Sequence, residues 1–226
     1  VCKLKKKILI LILTLSVFLP ASICKGSSES ADETTIGKLS SMSLVSLEEQ
    51  VKNWIDYQIS MEQAHRSKMQ SEFIYKKNTI EVDTRKEWFL EYKRLREEYS
   101  EWLNLRPTIY DNYTENEIYL MQRCVETECY QRSFDNKVNV ASVIFNRIEH
   151  PGFPNNPTEV ITTYRQFAYI KTEISEDTVL ALEYAFLFNE LSPGILFFHS
   201  KEWSETFCGA KYSFSDDAVH HFYEIN

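Results

Sequence analysis

TENEIYLMQRCVETECYQRSFDNKVNVASVIFNRI, residues 114–148, is the stretch that decides the fold. It reads as two helices with a short connection. Thr114 followed by Glu117 is a capping-box start just ahead of an apolar run. Ile118, Met121, Cys124, Val125 and Glu128 then recur at steps of three and four, which puts them on one helical face. Glu126 precedes Glu128 by two residues, about 200° around a regular helix. Glu128 is therefore expected with the apolar face and Glu126 away from it. A carboxyl held against apolar neighbours is desolvated, its charged form is disfavoured, and its pKa rises. A general acid working near neutral pH needs that property. A glutamate ending a helix is also compatible with a solvated tip, and periodicity alone leaves both readings open.

The segments around this stretch form an ordered set. Glu128-Cys129-Tyr130-Gln131-Arg132 is followed by Val140-Ala141-Ser142-Val143-Ile144-Phe145-Asn146-Arg147-Ile148 and by His150-Pro151-Gly152-Phe153-Pro154. Downstream come Gln166-Phe167-Ala168, Gly194-Ile195-Leu196-Phe197-Phe198-His199 and Val219-His220-His221-Phe222-Tyr223. In order and spacing, over roughly residues 115–226, this resembles the bacterial cell-wall hydrolase family typified by the spore cortex-lytic enzyme SleB. That family carries E-A-x-G-E, V-A-S/A-V-x-x-N-R-V, H/S-P-x-F-P, Q-F-S/T, G-A-L-F-F-H and G-H-x-F-Y patterns. The resemblance implies a lysozyme-like α+β fold, mainly helical with a small β-hairpin region. It also implies that Glu128 is the catalytic acid. The chain departs from the pattern at Gln131 and Arg132, where the family has a glycine and a second acid. Ala168 replaces the serine or threonine. These departures bear on substrate detail more than on reaction class.

Glycosidic cleavage needs a proton delivered to the leaving oxygen as an oxocarbenium-like state develops. Ordinary glycosidases add a second carboxylate, but none stands in a motif-matched position here; Asp135, Glu173 and Asp216 are the other acids to consider. A lytic transglycosylase manages with one carboxyl, using the 6-hydroxyl of N-acetylmuramic acid in place of water, and the resemblance points the same way. The expected partner is thus the peptidoglycan glycan strand, cut at the MurNAc–GlcNAc bond. Gln166 is a candidate for binding an acetamido or hydroxyl group beside that bond, or else a plain polar hairpin residue. Phe167, His199 and Tyr223 are candidates for lining the subsites. No cofactor or metal is expected: the five histidines form no H-E-x-x-H set, and His220 and His221 should point to opposite faces of a strand. The competing reading is a non-catalytic wall-binding or assembly protein that keeps the lysozyme-like shell.

Lys3, Lys5, Lys6 and Lys7 precede an apolar run over residues 8–13 that continues through Val17, Phe18 and Leu19. A basic segment before such a run reads as a secretory signal over residues 1–26 or, uncleaved, as a membrane anchor. Membrane contact is expected only there. Removing its five lysines from a net charge of −8 leaves about −13, which argues against nucleic acid as a partner. Beyond the leader only Cys124, Cys129 and Cys208 remain, an odd set without a C-x-x-C pair, hence neither a zinc site nor a disulfide framework. The 43% hydrophobic and 14% aromatic content supports a packed core.

Residues 27–40 are polar and read as a disordered spacer. Residues 41–106 read as a helical hairpin or coiled-coil-like extension, able to self-associate. Leu44, Leu47, Val51, Trp54 and Met61 mark its first stripe. After a break over residues 78–83, Thr84 with Glu87 opens a second helix whose face carries Trp88, Tyr92, Leu95, Tyr99 and Trp102. Residues 107–226 form the catalytic domain. In it, residues 158–163 suggest a short helix, residues 166–170 a strand or hairpin, and Ser175 caps a buried helix. Residues 195–198 read as a strand bringing His199 to the cleft.

Overall fold

The computed structural model describes residues 33–163, 167–168, 173–201, 209–216 and 220–225, with side chains from residue 49. The leader over residues 1–26 lies outside the described residues. Helix α1 spans Glu33–Asn78 and includes residues 33–40, read above as spacer. The chain divides into two compact units between Met69 and Gln70, so the 41–106 extension is shared between them. The first unit contributes α1 up to Met69, where Trp54, Tyr57, Ile59 and Met61 are exposed. Among the described residues no helix is long and apolar enough to cross a membrane.

The second unit opens with the last turns of α1. Helix α2, Arg85–Glu98, starts at Thr84 with the expected capping box. Its buried stripe runs through Phe89, Tyr92 and Leu95 and on to Tyr99. Phe89 is the fully buried ring, while Trp88 stacks on Tyr92 at the edge of the stripe. Phe73 of α1 tilts against Tyr92 and Tyr99, and Trp88, Phe89 and Tyr92 meet Phe188 edge-on. Trp88 is thus a packing residue.

Helices α3 (Ile109–Asn112), α4 (Glu115–Glu128), α5 (Phe134–Glu149), α6 (Pro157–Thr162) and α7 (Glu176–Phe188) follow. Strands β1 (Ile195–Ser200), β2 (Lys211–Ser215) and β3 (His220–Glu224) close the chain as one antiparallel sheet in the order β1-β3-β2. The mainly helical α+β expectation holds, with the sheet confined to the C-terminal end. Of the strand expected over residues 166–170, only Phe167 and Ala168 are described, and they carry no regular structure. Thr114 caps α4 with the expected box, and Ser175 caps α7.

Helix α5 is the hub. It packs against α4, α6, α7 and β1, and Val140, Ala141, Val143 and Ile144 are wholly removed from water. Each such aliphatic burial stabilises by about 1.5–3 kcal/mol for residues of valine size and larger. A helix buried on so many sides satisfies most of its polar side chains internally, the Ser142 hydroxyl being an exception. Asn146 donates to Ser192 O at 2.8 Å and Ile195 O at 3.0 Å, and accepts from Asn189 Nδ2 at 2.7 Å. Arg147 Nε donates to Leu196 O at 2.6 Å. These two neighbours therefore fix where β1 begins. Gly194 serves the same junction: a Cβ there would come within 2.9 Å of Ile225 O, across the backbone bond that joins Ile225 N–H to Gly194 O.

Glu126 overturns one expectation. Although it lies across the helix from the apolar face, it is 3% exposed, because α7 covers that side of α4. Lys137 Nζ, also 3% exposed, sits 3.1 Å from its Oε2. Ser175 donates through its N–H (3.1 Å) and hydroxyl (2.6 Å), and the Thr178 hydroxyl donates as well. Burial by itself raises a carboxyl pKa. Here the hydrogen bonds from Ser175, Thr178 and Lys137 outweigh it and hold Glu126 at about 2. A depressed carboxyl contributes stability that is present above the unfolded value near 4.3 and is lost as the pH falls toward 2. Lys137→Met leaves this carboxylate without its cation and should cost about 3–5 kcal/mol at pH 7 by urea unfolding. The deficit should narrow below pH 4, where the variant's Glu126 takes up a proton.

Candidate active site

Glu128 is the last residue of α4, and Cys129 caps the helix. The chain then reverses through Gln131, whose φ of +56° is the left-handed conformation that glycine adopts without a Cβ clash. This is the position at which the cell-wall hydrolase pattern has its glycine. Ser133 caps α5 directly afterwards through its side chain and Asn136 N–H. The reversal is what aims the end of α4 toward the loop after α6.

There the Ala168 N–H donates to Glu128 Oε1 at 2.6 Å. Glu128 Oε2 makes no hydrogen bond to any described residue. Burial raises the pKa of this carboxyl; the Ala168 N–H, His220 and Arg147 pull it down, but less strongly. Cys124 and Cys129, both free and buried, flank it, and burial raises their thiols so that they stay neutral. Cys208 lies outside the described residues. Arg147 is itself buried, and burial lowers its pKa to about 10, so it keeps its charge at neutral pH. The site thus holds one desolvated carboxyl with one oxygen fastened and the other free. That suits a group that stores a proton and releases it toward a leaving oxygen.

The remaining residues singled out by sequence separate into two groups. Phe167 lies on the Glu128 side, but its ring is buried, tilted on Phe198 at 5.9 Å and lying 4.5 Å from the Arg147 guanidinium. It faces inward and offers no exposed ring to a ligand. Gln166 lies outside the described residues. His199 and Tyr223 meet each other, Tyr223 Oη lying 2.7 Å from His199 Nε2, on the sheet face that also carries Tyr212 and His221. Phe198, His220, Phe222 and Phe214 occupy the opposite face. Alternation therefore brings His220, rather than His199 or Tyr223, to the Glu128 side.

Asp216 was one of several uncompelling acids in the sequence. It is buried and bound to His220 twice, accepting from the His220 N–H at 2.8 Å and lying 3.2 Å from His220 Nδ1. Spacing alone carried a faint signal, since residues 216 and 220 are four apart at the start of β3. Asp135 is exposed and pairs with Arg85. His221 bonds Ser215 on the other face, so the two adjacent histidines do not converge. Among the described residues no cluster of three or more His, Cys, Asp or Glu is arranged to hold a metal ion.

Comparison with known proteins gives a match over part of the chain. A profile described as Cell Wall Hydrolase matches residues 131–223, beginning three residues after Glu128. The catalytic domain of the Bacillus cereus SleB protein, a crystal structure, aligns at 23% identity and a TM-score of 0.43. The alignment covers 54% of this chain and 100% of that one. No curated protein matches the chain.

Gln131→Gly relieves the left-handed strain and should raise stability by about 0.5–1 kcal/mol, read as a higher denaturation midpoint with an unchanged slope.

Proposed function

We propose that the chain is an exported peptidoglycan-cleaving glycosidase with Glu128 as its single acid, a reading supported by the Cell Wall Hydrolase profile matched by residues 131–223. The desolvated Glu128 carboxyl, with Oε1 bound by the Ala168 N–H and Oε2 free, carries this reading. Protonated Oε2 donates to the glycosidic oxygen between N-acetylmuramic acid and N-acetylglucosamine as the C1–O bond breaks. The carboxylate then takes the proton of the muramic 6-hydroxyl while O6 bonds to C1. A 1,6-anhydro end forms, and the acid is regenerated. An internal hydroxyl already held near C1 replaces water, so no second carboxylate is required. The state of Asp216 supports that economy, since His220 occupies both of its oxygens. The lysine-led apolar leader supports export to the wall.

Glu128→Gln tests the reading. Muropeptide release from purified sacculi should fall at least a hundredfold. Mass analysis of the wild-type digest should find anhydromuramyl ends. Reducing ends would instead mean hydrolysis, and binding without products a non-catalytic wall protein. A carboxyl whose folded pKa is raised costs stability above that pKa and costs nothing below the unfolded value. The same variant should therefore melt a few degrees higher than wild type at pH 7.5 and level with it at pH 4. That pattern separates loss of the acid from loss of the fold.

A further inference from the structure

We infer that Arg147 and the ring of Phe167 form a clamp that positions the Ala168 N–H on Glu128, both acting through the loop without touching substrate. The guanidinium is fixed from two directions. Helix α5 supplies its stem, and Nε donates to Leu196 O of β1 at 2.6 Å. Its planar face meets three rings from three different segments. The Phe167 centroid is 4.5 Å from Cζ, and those of Phe153 and Phe197 are each 5.2 Å away. A cation desolvated among aromatic faces is held more strongly than one at the surface. Phe167 thus becomes a fixed point in a connection that otherwise has no regular structure at Phe167 and Ala168. The next peptide N–H is the one that reaches Glu128 Oε1 at 2.6 Å. Moving the ring moves that N–H, because the two are adjacent along the chain.

Among the described residues, few other charges face the carboxyl. On its own element are the thiols Cys124 and Cys129, both raised by burial and therefore neutral. From α5 comes Arg147, and from β3 comes His220 paired with Asp216. A substitution at Phe167 removes none of these charged groups.

Phe167→Leu is the clean variant, because it keeps an apolar side chain and no charge changes. With carboxyl-13C glutamate and Glu128→Gln to assign the signal, the Glu128 titration midpoint should rise by about one pH unit, since a bound N–H favours the anion. The kcat on soluble glycan strands should fall about tenfold while KM stays within about twofold. Phe167→Met keeps an apolar side chain and the Arg147 charge but loses the planar ring face, so it should shift the midpoint in the same direction. It decides the matter if Phe167→Leu does not fold, as judged by far-UV circular dichroism. An unchanged midpoint in a folded Phe167→Leu protein overturns the clamp. So does a large KM increase with no shift, which would make Phe167 a substrate contact. The kinetic arm rests on Glu128 being the acid. The titration arm does not, so failure of the proposed function and failure of the clamp give different results.

Discussion

The need to satisfy polar groups on a helix buried on several sides organises this domain. Helix α5 carries Asn136, Lys137, Asn146 and Arg147 in positions removed from water. Unpaired, each would cost more than the apolar contacts around it return. Lys137 is bound by Glu126 and Ser175, which fixes the start of α7 against α4. Asn146 and Arg147 are bound by backbone carbonyls at the start of β1, which fixes the sheet against α5. Both ends of the hub helix therefore dictate where a neighbouring element may begin. Apolar packing alone would tolerate sliding; directional bonds in a low-dielectric interior do not.

Glu126 and Glu128 show how little sequence distance matters to electrostatics. Both carboxyls are largely removed from water, and in both burial is the largest influence on the proton. They differ in their donors. Glu126 receives a backbone N–H, two hydroxyls and an ammonium, and it stays ionised. Glu128 receives one backbone N–H, and its pKa ends raised. The same residue type two positions apart becomes a structural anion in one case and a proton store in the other, as the environment of each decides.

Local signals carried the elements well. The caps at Thr84, Thr114 and Ser175 are written within four residues, so they could be read without tertiary knowledge. Glu126 could not. Its donors Ser175 and Thr178 stand 49 and 52 residues away, and the periodicity that put it opposite the apolar face could not reveal that a second helix covers that side. The strain at Gln131 was visible only as a missing motif glycine, since a sequence does not display φ. His199 was expected at the cleft because residues 195–198 read as a strand that delivers it there. A strand sends alternate residues to opposite faces, and the register of β1 on β3 gives the Glu128 side to His220.

That register also bears on how many acids the site can offer. His220 supplies the ring that decides this. A glycine there would retain the backbone N–H that reaches Asp216 Oδ1, but it would bring no ring to Oδ2. The imidazole closes on the second oxygen and lies edge-on to Phe198 at 4.9 Å. A carboxylate engaged at both oxygens and buried to this degree is a poor nucleophile and a poor activator of water, because either role needs a free oxygen facing the reacting carbon. The His220 backbone and ring thus occupy both oxygens of Asp216. Glu128 is held at Oε1 alone, and the proposed mechanism, whose second nucleophile is carried by the sugar, needs no further acid.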